Sequence, residues 1–214
     1  MDKIVIWGAS GQAIVLEELL AATPVKITAF FENNEAIQSP IETIPIYYFE
    51  AGFERWLSSI EEPSKYFYSV AIGGNNGNVR AKIGEMFKKA GLKPYTAIHH
   101  TAFVAGNSVI GEGAQILANS NVCARAKIGK YCILNTASSV DHECIIGDNV
   151  HIGPGAKLAG CITVGDNSFI GTNATVLPRI IIGKNVIIGA GAVVTKNVAD
   201  DAVIVGNPGR QLIK

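Results

Sequence analysis

The sequence lacks the features of a membrane-spanning, nucleic-acid-binding or secreted protein. Its 18 basic and 18 acidic residues balance, and charged residues make up only 17% of the chain. No strong attraction to nucleic acid or to an anionic membrane is therefore expected. No apolar run approaches the ~20 residues that span a bilayer, and the N-terminal residues show no signal-peptide pattern. We expect a cytoplasmic protein without a membrane span.

The four cysteines lack the CxxC spacing of common metal sites; they are Cys123, Cys132, Cys144 and Cys161. Such spacing gives no reason to expect a bound metal, and the expected compartment disfavours disulfides. We predict reduced, structural thiols and no metal cofactor.

Residues 1–97 alternate between short apolar segments and segments with helical spacing. The predicted strands lie in KIVIWGASG, VKITAFFEN, IPIYYFE and KYFYSVAIGG, and the predicted helices in QAIVLEELLAA, FERWLSSIEE and NVRAKIGEMFKKAG. In the first helix, Ile14, Val15, Leu19 and Leu20 are expected to share one face. This alternation predicts a small Rossmann-like parallel α/β domain over residues 1–97.

From Ile98 onward the period changes to six. Seventeen consecutive sixth positions, from 98 to 194, hold Ile, Leu or Val, and four residues after each comes Ala, Ser, Cys, Val or Ile. This repeat is typical of a parallel β-helix, in which the aliphatic side chain points into a triangular prism and a small residue fits near its corner. Residues 98–214 are predicted to form this β-helix domain, with Cys132 and Cys144 in the small-residue position.

One stretch of the repeat carries titratable groups, in the sequence SSVDHECIIGDNVHIGPG. His142 lies two residues after the inward-pointing Val140 and is expected at a turn, where a solvated histidine is the simplest alternative. A carboxylate neighbour fixes the tautomer of an imidazole and raises its basicity, as a general base requires. Asp141 and Glu143 both qualify as that neighbour.

The segment NTASSVDHE resembles the catalytic segment of bacterial hexapeptide-repeat sugar acetyltransferases. This family includes sialic acid O-acetyltransferases and nucleotide-linked amino-sugar N-acetyltransferases of surface-glycan biosynthesis. The resemblance implies a left-handed β-helix, His142 as catalytic base with Glu143 as its partner, and Asn135 and His151 in substrate binding. It also implies that the Gly160 amide meets the thioester oxygen of the acetyl donor. For His151 and Gly160, a purely structural turn position is the alternative.

Two glycine-containing turns in the first domain resemble the family's nucleotide-binding segments. WGASGQ follows a strand and opens a helix, where backbone amides can bind phosphate, and AIGGNNGNVR ends a second strand. The resemblance implies a nucleotide-sugar site made of Gly8, Ser10, Gly11, Gln12, Glu32, Asn33, Gly73, Asn75 and Arg80. Gln12 stands where most members carry histidine, which puts the identity or orientation of the sugar in doubt.

The resemblance also implies acetyl-CoA as donor and a homotrimer with active sites between subunits. Small residues of the late repeats are expected beside the pantetheine arm, and two cations near its phosphates: Gly189, Ala190, Gly191, Ala192, Lys196 and Arg210.

The sequence favours an acetyl-CoA-dependent N-acetyltransferase acting on a nucleotide-linked amino sugar, with a UDP-4-amino-4,6-dideoxyhexose as the working substrate. An O-acetyltransferase of the sialic acid type is the first alternative. A zinc hydratase requires three converging histidines, whereas this repeat offers His142 and His151. A non-catalytic nucleotide-sugar sensor leaves the histidine–carboxylate pair unexplained.

Overall fold

In the computed structural model, which describes residues 2–212, the chain divides into two units. The first, the α/β unit, takes in the chain to Gly73 together with Val79–Ala97. The second, the β-helix unit, contains Gly74–Asn78 and the chain from Ile98 onward. The loop after the fourth strand thus belongs with the β-helix by its contacts.

Five parallel strands form the sheet of the α/β unit, in the order β3-β2-β1-β4-β5. The strands are β1 (Lys3–Trp7), β2 (Lys26–Glu32), β3 (Ile46–Tyr48), β4 (Tyr66–Val70) and β5 (Lys93–Pro94). The helices are α1 (Gly11–Ala21), α2 (Phe49–Ser58) and α3 (Gly77–Lys89), with a short 3-10 turn at Pro63–Lys65. Across residues 2–212, none of the helices has the length and apolar character needed to cross a bilayer.

Aromatic side chains fill the core of the α/β unit. The Phe31 ring lies 5.5 Å from that of Trp7 and 5.4 Å from that of Phe53, between centroids. The buried residues of α1 are Ala13, Leu16, Leu19 and Leu20, whereas Ile14 is 56% exposed. The expectation that Ile14 shares the buried face is wrong, because α1 carries apolar residues on several sides and its spacing does not single out one face.

Short strands of two or three residues on three sheets build the β-helix, and they pair in parallel except for one antiparallel pair near the end of the described chain. The predicted hexapeptide-repeat architecture is confirmed. The strands are β6 (Ala97–Ile98), β7 (Phe103–Val104), β8 (Val109–Ile110), β9 (Gln115–Ile116), β10 (Asn121–Val122), β11 (Lys127–Ile128), β12 (Ile133–Leu134), β13 (Ser139–Val140), β14 (Ile145–Ile146), β15 (His151–Ile152), β16 (Lys157–Leu158), β17 (Thr163–Val164), β18 (Phe169–Ile170), β19 (Thr175–Val176), β20 (Ile181–Ile182), β21 (Ile187–Ile188), β22 (Val193–Val194), β23 (Val203–Val205) and β24 (Arg210–Gln211). Equivalent strands pair one coil apart, so Val122 lies beside Val140 and Val140 beside Leu158.

The interior of the prism consists of stacked aliphatic side chains with Ala and Cys near the corners. Cys132 and Cys144 are buried in this cluster, as predicted, and the cysteines of the described chain form no disulfide. Ile98 departs from the pattern and is exposed, because the first coil has no earlier coil of the helix to pack against. The repeat therefore predicts the interior well except at its open end.

From residue 113 to residue 191, the turns of the β-helix place one residue per hexapeptide in the left-handed backbone region. Glu143 has a φ of 57° and Cys161, one coil later, a φ of 62°. Non-glycine residues in this region cost about 1–2 kcal/mol each, which the stacked prism outweighs. Side chains at equivalent turns consequently stand one above another, 18 residues apart in sequence.

Candidate active site

The proposed catalytic pair lies on the turn between β13 and β14. The His142 Nδ1 atom is 3.1 Å from Glu143 Oε2. Both side chains are about half exposed, at 53% for His142 and 50% for Glu143. A carboxylate at this distance favours the tautomer of a neutral ring that carries its proton on Nδ1, in which Nε2 is the nitrogen with the free lone pair.

Asp141, the other candidate partner, is engaged elsewhere. Its Oδ1 accepts a hydrogen bond of 2.7 Å from the backbone N–H of His142. Burial, together with the charge and hydrogen bonding of Asp141, raises the pKa of the Cys123 thiol. Asp141 therefore shapes the turn, while Glu143 meets the imidazole ring.

Gly160 faces the Nε2 side of the His142 ring. A Cβ atom added at Gly160 would overlap Nε2, Cε1 and Cδ2 of His142. The backbone N–H of Cys161, the next residue, donates to the His142 carbonyl at 2.9 Å. The absence of a side chain at Gly160 thus lets the His142 ring lie directly against the backbone there, with Nε2 beside Gly160.

Asn135 and His151 are brought together on the sheet that contains β12 and β15. Asn135 Nδ2 lies 3.2 Å from His151 Nε2, and His151 Nδ1 lies 3.3 Å from the carbonyl oxygen of Gly74. These partners fit a neutral ring that accepts from Asn135 and donates to Gly74. His151 is buried and packs edge-on against Phe169. It is therefore a strand residue fixed by its neighbours and not a solvated turn residue.

In the α/β unit, the predicted nucleotide-binding turns gather at the carboxyl edge of the sheet. The Glu32 carboxylate accepts from the backbone N–H of Ala9 at 3.0 Å and of Asn33 at 2.7 Å, and so ties the loop after β1 to the end of β2. Gly8 has a φ of 103°, and a Cβ there would overlap the carbonyl of Ala71 at the end of β4. Only glycine allows these loops to approach so closely.

The other residues predicted to bind the nucleotide sugar differ in their exposure to solvent. Ser10 and Gly11 are exposed at the start of α1, Gln12 is half-buried, Asn33 is exposed, and Gly73 is half-buried after β4. Arg80 is 1% exposed, and its Nη1 donates to the carbonyl of Ile72 at 3.0 Å. This burial favours Arg80 as a support for the loop after β4. Asn75 belongs to the Gly74–Asn78 segment of the β-helix unit and is exposed.

The residues expected beside the coenzyme do not all face solvent. Ala190, Gly191, Lys196 and Arg210 are exposed, and Gly189 is half-buried. Ala192 is 0% exposed and belongs to the prism interior. The expectation that it contacts the pantetheine arm is wrong, because Ala192 occupies the small-residue position of its own hexapeptide.

The sequence interpretation assigned no role to two neighbours of Glu143. Arg125 Nη1 lies 3.8 Å from Glu143 Oε1, and Cys161 Sγ lies 3.9 Å from Glu143 Oε2. Both stand exactly one coil from Glu143 in the sequence, at spacings of 18 residues. The coil length of the repeat is thus the signal that identifies them.

Comparison with known proteins places this fold among the hexapeptide transferases. The family model described as bacterial transferase hexapeptide (six repeats) matches residues 125–160 and 161–196. GDP-perosamine N-acetyltransferase of Escherichia coli is 37% identical over 98 residues, which span 46% of this chain and 43% of that relative. The matched stretch therefore covers less than half of the curated relative.

Two solved structures match along nearly the whole chain. PerB from Caulobacter crescentus, in complex with CoA and GDP-perosamine, has a TM-score of 0.89 and 30% identity over 99% of this chain and 98% of that one. The acetyltransferase domain of PglB from Neisseria gonorrhoeae, in complex with acetyl coenzyme A, has a TM-score of 0.86 and 31% identity over 99% of each chain. The chain belongs to the hexapeptide-repeat transferase family, and the family resemblance found in the sequence is confirmed.

Proposed function

We propose that this protein transfers an acetyl group from acetyl-CoA to the amine of a nucleotide-linked amino sugar. The observation that carries the proposal is the His142–Glu143 pair, with 3.1 Å between Nδ1 and Oε2 and with Nε2 lying against Gly160. The relatives with CoA, acetyl coenzyme A or GDP-perosamine bound support the same chemistry.

In the proposed reaction, Glu143 holds the Nδ1 proton and His142 acts as general base through Nε2. Nε2 takes a proton from the amine as the amine nitrogen bonds to the thioester carbonyl carbon. The Gly160 N–H donates to the oxygen that gains negative charge. The C–S bond then breaks, and the protonated His142 returns its proton to the departing thiolate. The close approach of the His142 ring to Gly160, which leaves no room for a Cβ, supports placing the thioester carbonyl beside both Nε2 and the Gly160 N–H.

For the acceptor, we propose that the α/β unit acts as a Rossmann-like nucleotide-binding domain. Backbone amides at the start of α1, beside Ser10 and Gly11, provide a phosphate site of the kind found at helix N-termini. Glu32 retains acceptor capacity beyond its two backbone partners, since a carboxylate offers about four lone-pair positions. Because PerB was solved with GDP-perosamine, a GDP-linked sugar replaces the UDP-linked one as the first substrate to test.

The test is release of free thiol from acetyl-CoA with a panel of GDP-, UDP- and dTDP-linked 4-amino sugars, and free sialic acid. We expect turnover with one amino sugar, reduced about 10²–10⁴-fold in His142→Ala, with His100→Ala as the matched control on an exposed histidine outside the site. Full activity of His142→Ala would remove the base from the proposal. Turnover with sialic acid alone would establish O-acetylation, and binding of a nucleotide sugar without turnover would favour a sensor.

We also propose a homotrimer formed through the sheet that contains β8, β14 and β20. The outward residues Val109, Ile145 and Ile181 occupy alternate coils of this sheet, and all are exposed. An exposed apolar row of this kind is typical of a surface that another chain covers. Light scattering is expected to give three chains per particle for the wild type and a smaller particle for Ile145→Glu. A monomeric wild type would contradict the proposal.

A further inference from the structure

Cys161 completes a cluster of three different ligating groups at the catalytic turn. The left-handed turn residues Glu143 and Cys161 stand on successive coils, and Sγ of Cys161 lies 3.9 Å from Glu143 Oε2. The same carboxylate oxygen is 3.1 Å from His142 Nδ1. One ligand atom from each residue lies within 4.8 Å of the others, so a single ion fits between them after small side-chain rotations.

The composition and spacing of this cluster match a borderline-soft divalent cation. Zn²⁺ binds imidazole nitrogen at about 2.0–2.1 Å, carboxylate oxygen at about 2.0–2.2 Å and thiolate at about 2.3 Å, in tetrahedral geometry. Those lengths place ligand atoms roughly 3.3–3.7 Å from one another. The separations of 3.1 Å and 3.9 Å bracket this range, and the thiol excludes the hard cations Mg²⁺ and Ca²⁺ as preferred occupants.

We propose that His142 Nδ1, Glu143 Oε2 and Cys161 Sγ form an inhibitory site for a thiophilic divalent cation such as Zn²⁺. On binding, the Cys161 thiol releases its proton to solvent, and the imidazole proton moves from Nδ1 to Nε2. No electron transfer is involved. The inhibitory consequence rests on the proposed function: with Nε2 protonated and Glu143 bound to the cation, His142 no longer accepts a proton from the amine.

The neighbouring groups leave the three ligand atoms accessible. Arg125 approaches the other carboxylate oxygen, Oε1, and its side chain is largely exposed, so it competes weakly. Asp141 Oδ1 is held by the His142 backbone N–H. Cys144 is not an equivalent ligand, because burial raises the pKa of its thiol to about 11. Among the cysteines, Cys161 therefore combines accessibility with the right position.

Co²⁺ provides a direct binding test, because a thiolate ligand gives a cobalt charge-transfer absorption band. Metal-free wild-type protein is expected to bind one Co²⁺ per chain with this band. Cys161→Ser is expected to lose the band and to bind at least about tenfold more weakly. Cys123→Ser is the matched control, since Cys123 is also partly exposed, and it is expected to behave as wild type.

Activity provides the second readout. Zn²⁺ is expected to inhibit the wild type and Cys123→Ser, with recovery on addition of a chelator, and to leave the Cys161→Ser enzyme active. A band that persists in Cys161→Ser, a band lost in Cys123→Ser, or equal inhibition of all three proteins would overturn the proposal. If the metal-free protein shows no acetyl transfer, the proposed function fails, while the cobalt band still decides whether the site exists.

Discussion

The α/β unit and the β-helix hold their polar side chains in different places. In the α/β unit, Arg80 is buried on the Ile72 carbonyl and Glu32 joins two loops through their backbone amides. In the β-helix, His142 and Glu143 stand half exposed on a turn outside an apolar prism. Arg80 and Glu32 hold loops in place, so their substitution is expected to disturb the fold of the α/β unit. Side chains on the repeated turns project away from the core, so their substitution is expected to leave the core intact.

The two cores also differ in how their side chains pack. Packed aromatic rings of different orientation join β1, β2, α2 and α3 in the α/β unit, for example Trp7, Phe31, Phe53 and Phe87. The β-helix interior repeats one aliphatic layer coil after coil. Each aromatic contact has its own geometry and is not repeated elsewhere in the unit, whereas each aliphatic layer packs against similar layers on either side. Substitutions at polar positions should therefore affect stability in the first unit and chemistry in the second.

The largest effect on stability is expected for Gly8→Ala. The added methyl group overlaps the Ala71 carbonyl, and alanine is strained at a φ of 103°, so we expect a loss of about 3–5 kcal/mol in the free energy of unfolding. Both tryptophans, Trp7 and Trp56, lie in the α/β unit, so their fluorescence during urea unfolding measures this loss. Gly11→Ala is the control, because its methyl group meets no atom within 4 Å. Equal destabilisation by both changes would contradict the interpretation.

Arg80→Met is expected to destabilise the α/β unit by about 2–4 kcal/mol. The change leaves the half-buried Ile72 carbonyl without its charged donor, which costs more than the loss of an exposed hydrogen bond. The same urea titration measures it, with Lys82→Met as the control on an exposed position of α3. An unchanged unfolding midpoint combined with weaker nucleotide binding would instead assign Arg80 to the ligand.

Glu143→Gln is expected to lower kcat about 10–100-fold and to change stability by less than about 0.5 kcal/mol. Glutamine still accepts from Nδ1 but carries no charge to favour the protonated imidazole. Kinetics across pH measure the change, with Glu112→Gln as the control, because Glu112 also forms an ion pair in the β-helix, at 3.1 Å from Lys130. An unchanged kcat for Glu143→Gln would mean that His142 and Glu143 do not act as a catalytic pair. It would contradict the view that exposed polar groups of the β-helix serve chemistry.

The sequence predicts most of the β-helix because every coil repeats the same environment. A residue that departs from the repeat, such as His142, is visible for the same reason. The prediction that Ala192 contacts the coenzyme was wrong because it ignored the repeat. The repeat places Ala192 at the small-residue position, which lies in the core. Cys161 and Arg125 were missed because adjacent turns are 18 residues apart, and each turn was interpreted along the chain and not across coils.

The α/β unit offers no repeat, so its details are less predictable. Its three helices and the strands β1 to β4 follow from the apolar periodicity, whereas the two-residue strand β5 was not predicted. The placement of Ile14 on the buried face was wrong, because α1 carries apolar residues on several sides. Burial of Arg80 was not evident from the sequence either, because an arginine after a strand-ending glycine turn has the same spacing whether it binds phosphate or a backbone carbonyl. The hydrogen bond from the Ala9 amide to Glu32 could not be predicted either, because the two residues are 23 positions apart in the sequence.

The smallest effect is expected for Asp166→Asn in the β-helix. Asp166 Oδ2 lies 3.0 Å from Lys184 Nζ, and this contact lowers the pKa of the carboxyl from 3.8. Because both side chains are exposed to screening solvent, we expect a loss within about 1 kcal/mol; asparagine also retains the acceptor for the Asp148 N–H. A lowered pKa in the folded state stabilises the protein above pH 3.8 and ceases to do so as the pH falls through the lowered value. Thermal unfolding followed by circular dichroism should therefore separate wild type and variant slightly at pH 7, and the difference should close in acid. A difference that stays constant as the pH falls far below 3.8 would mean that the ion pair is not its source.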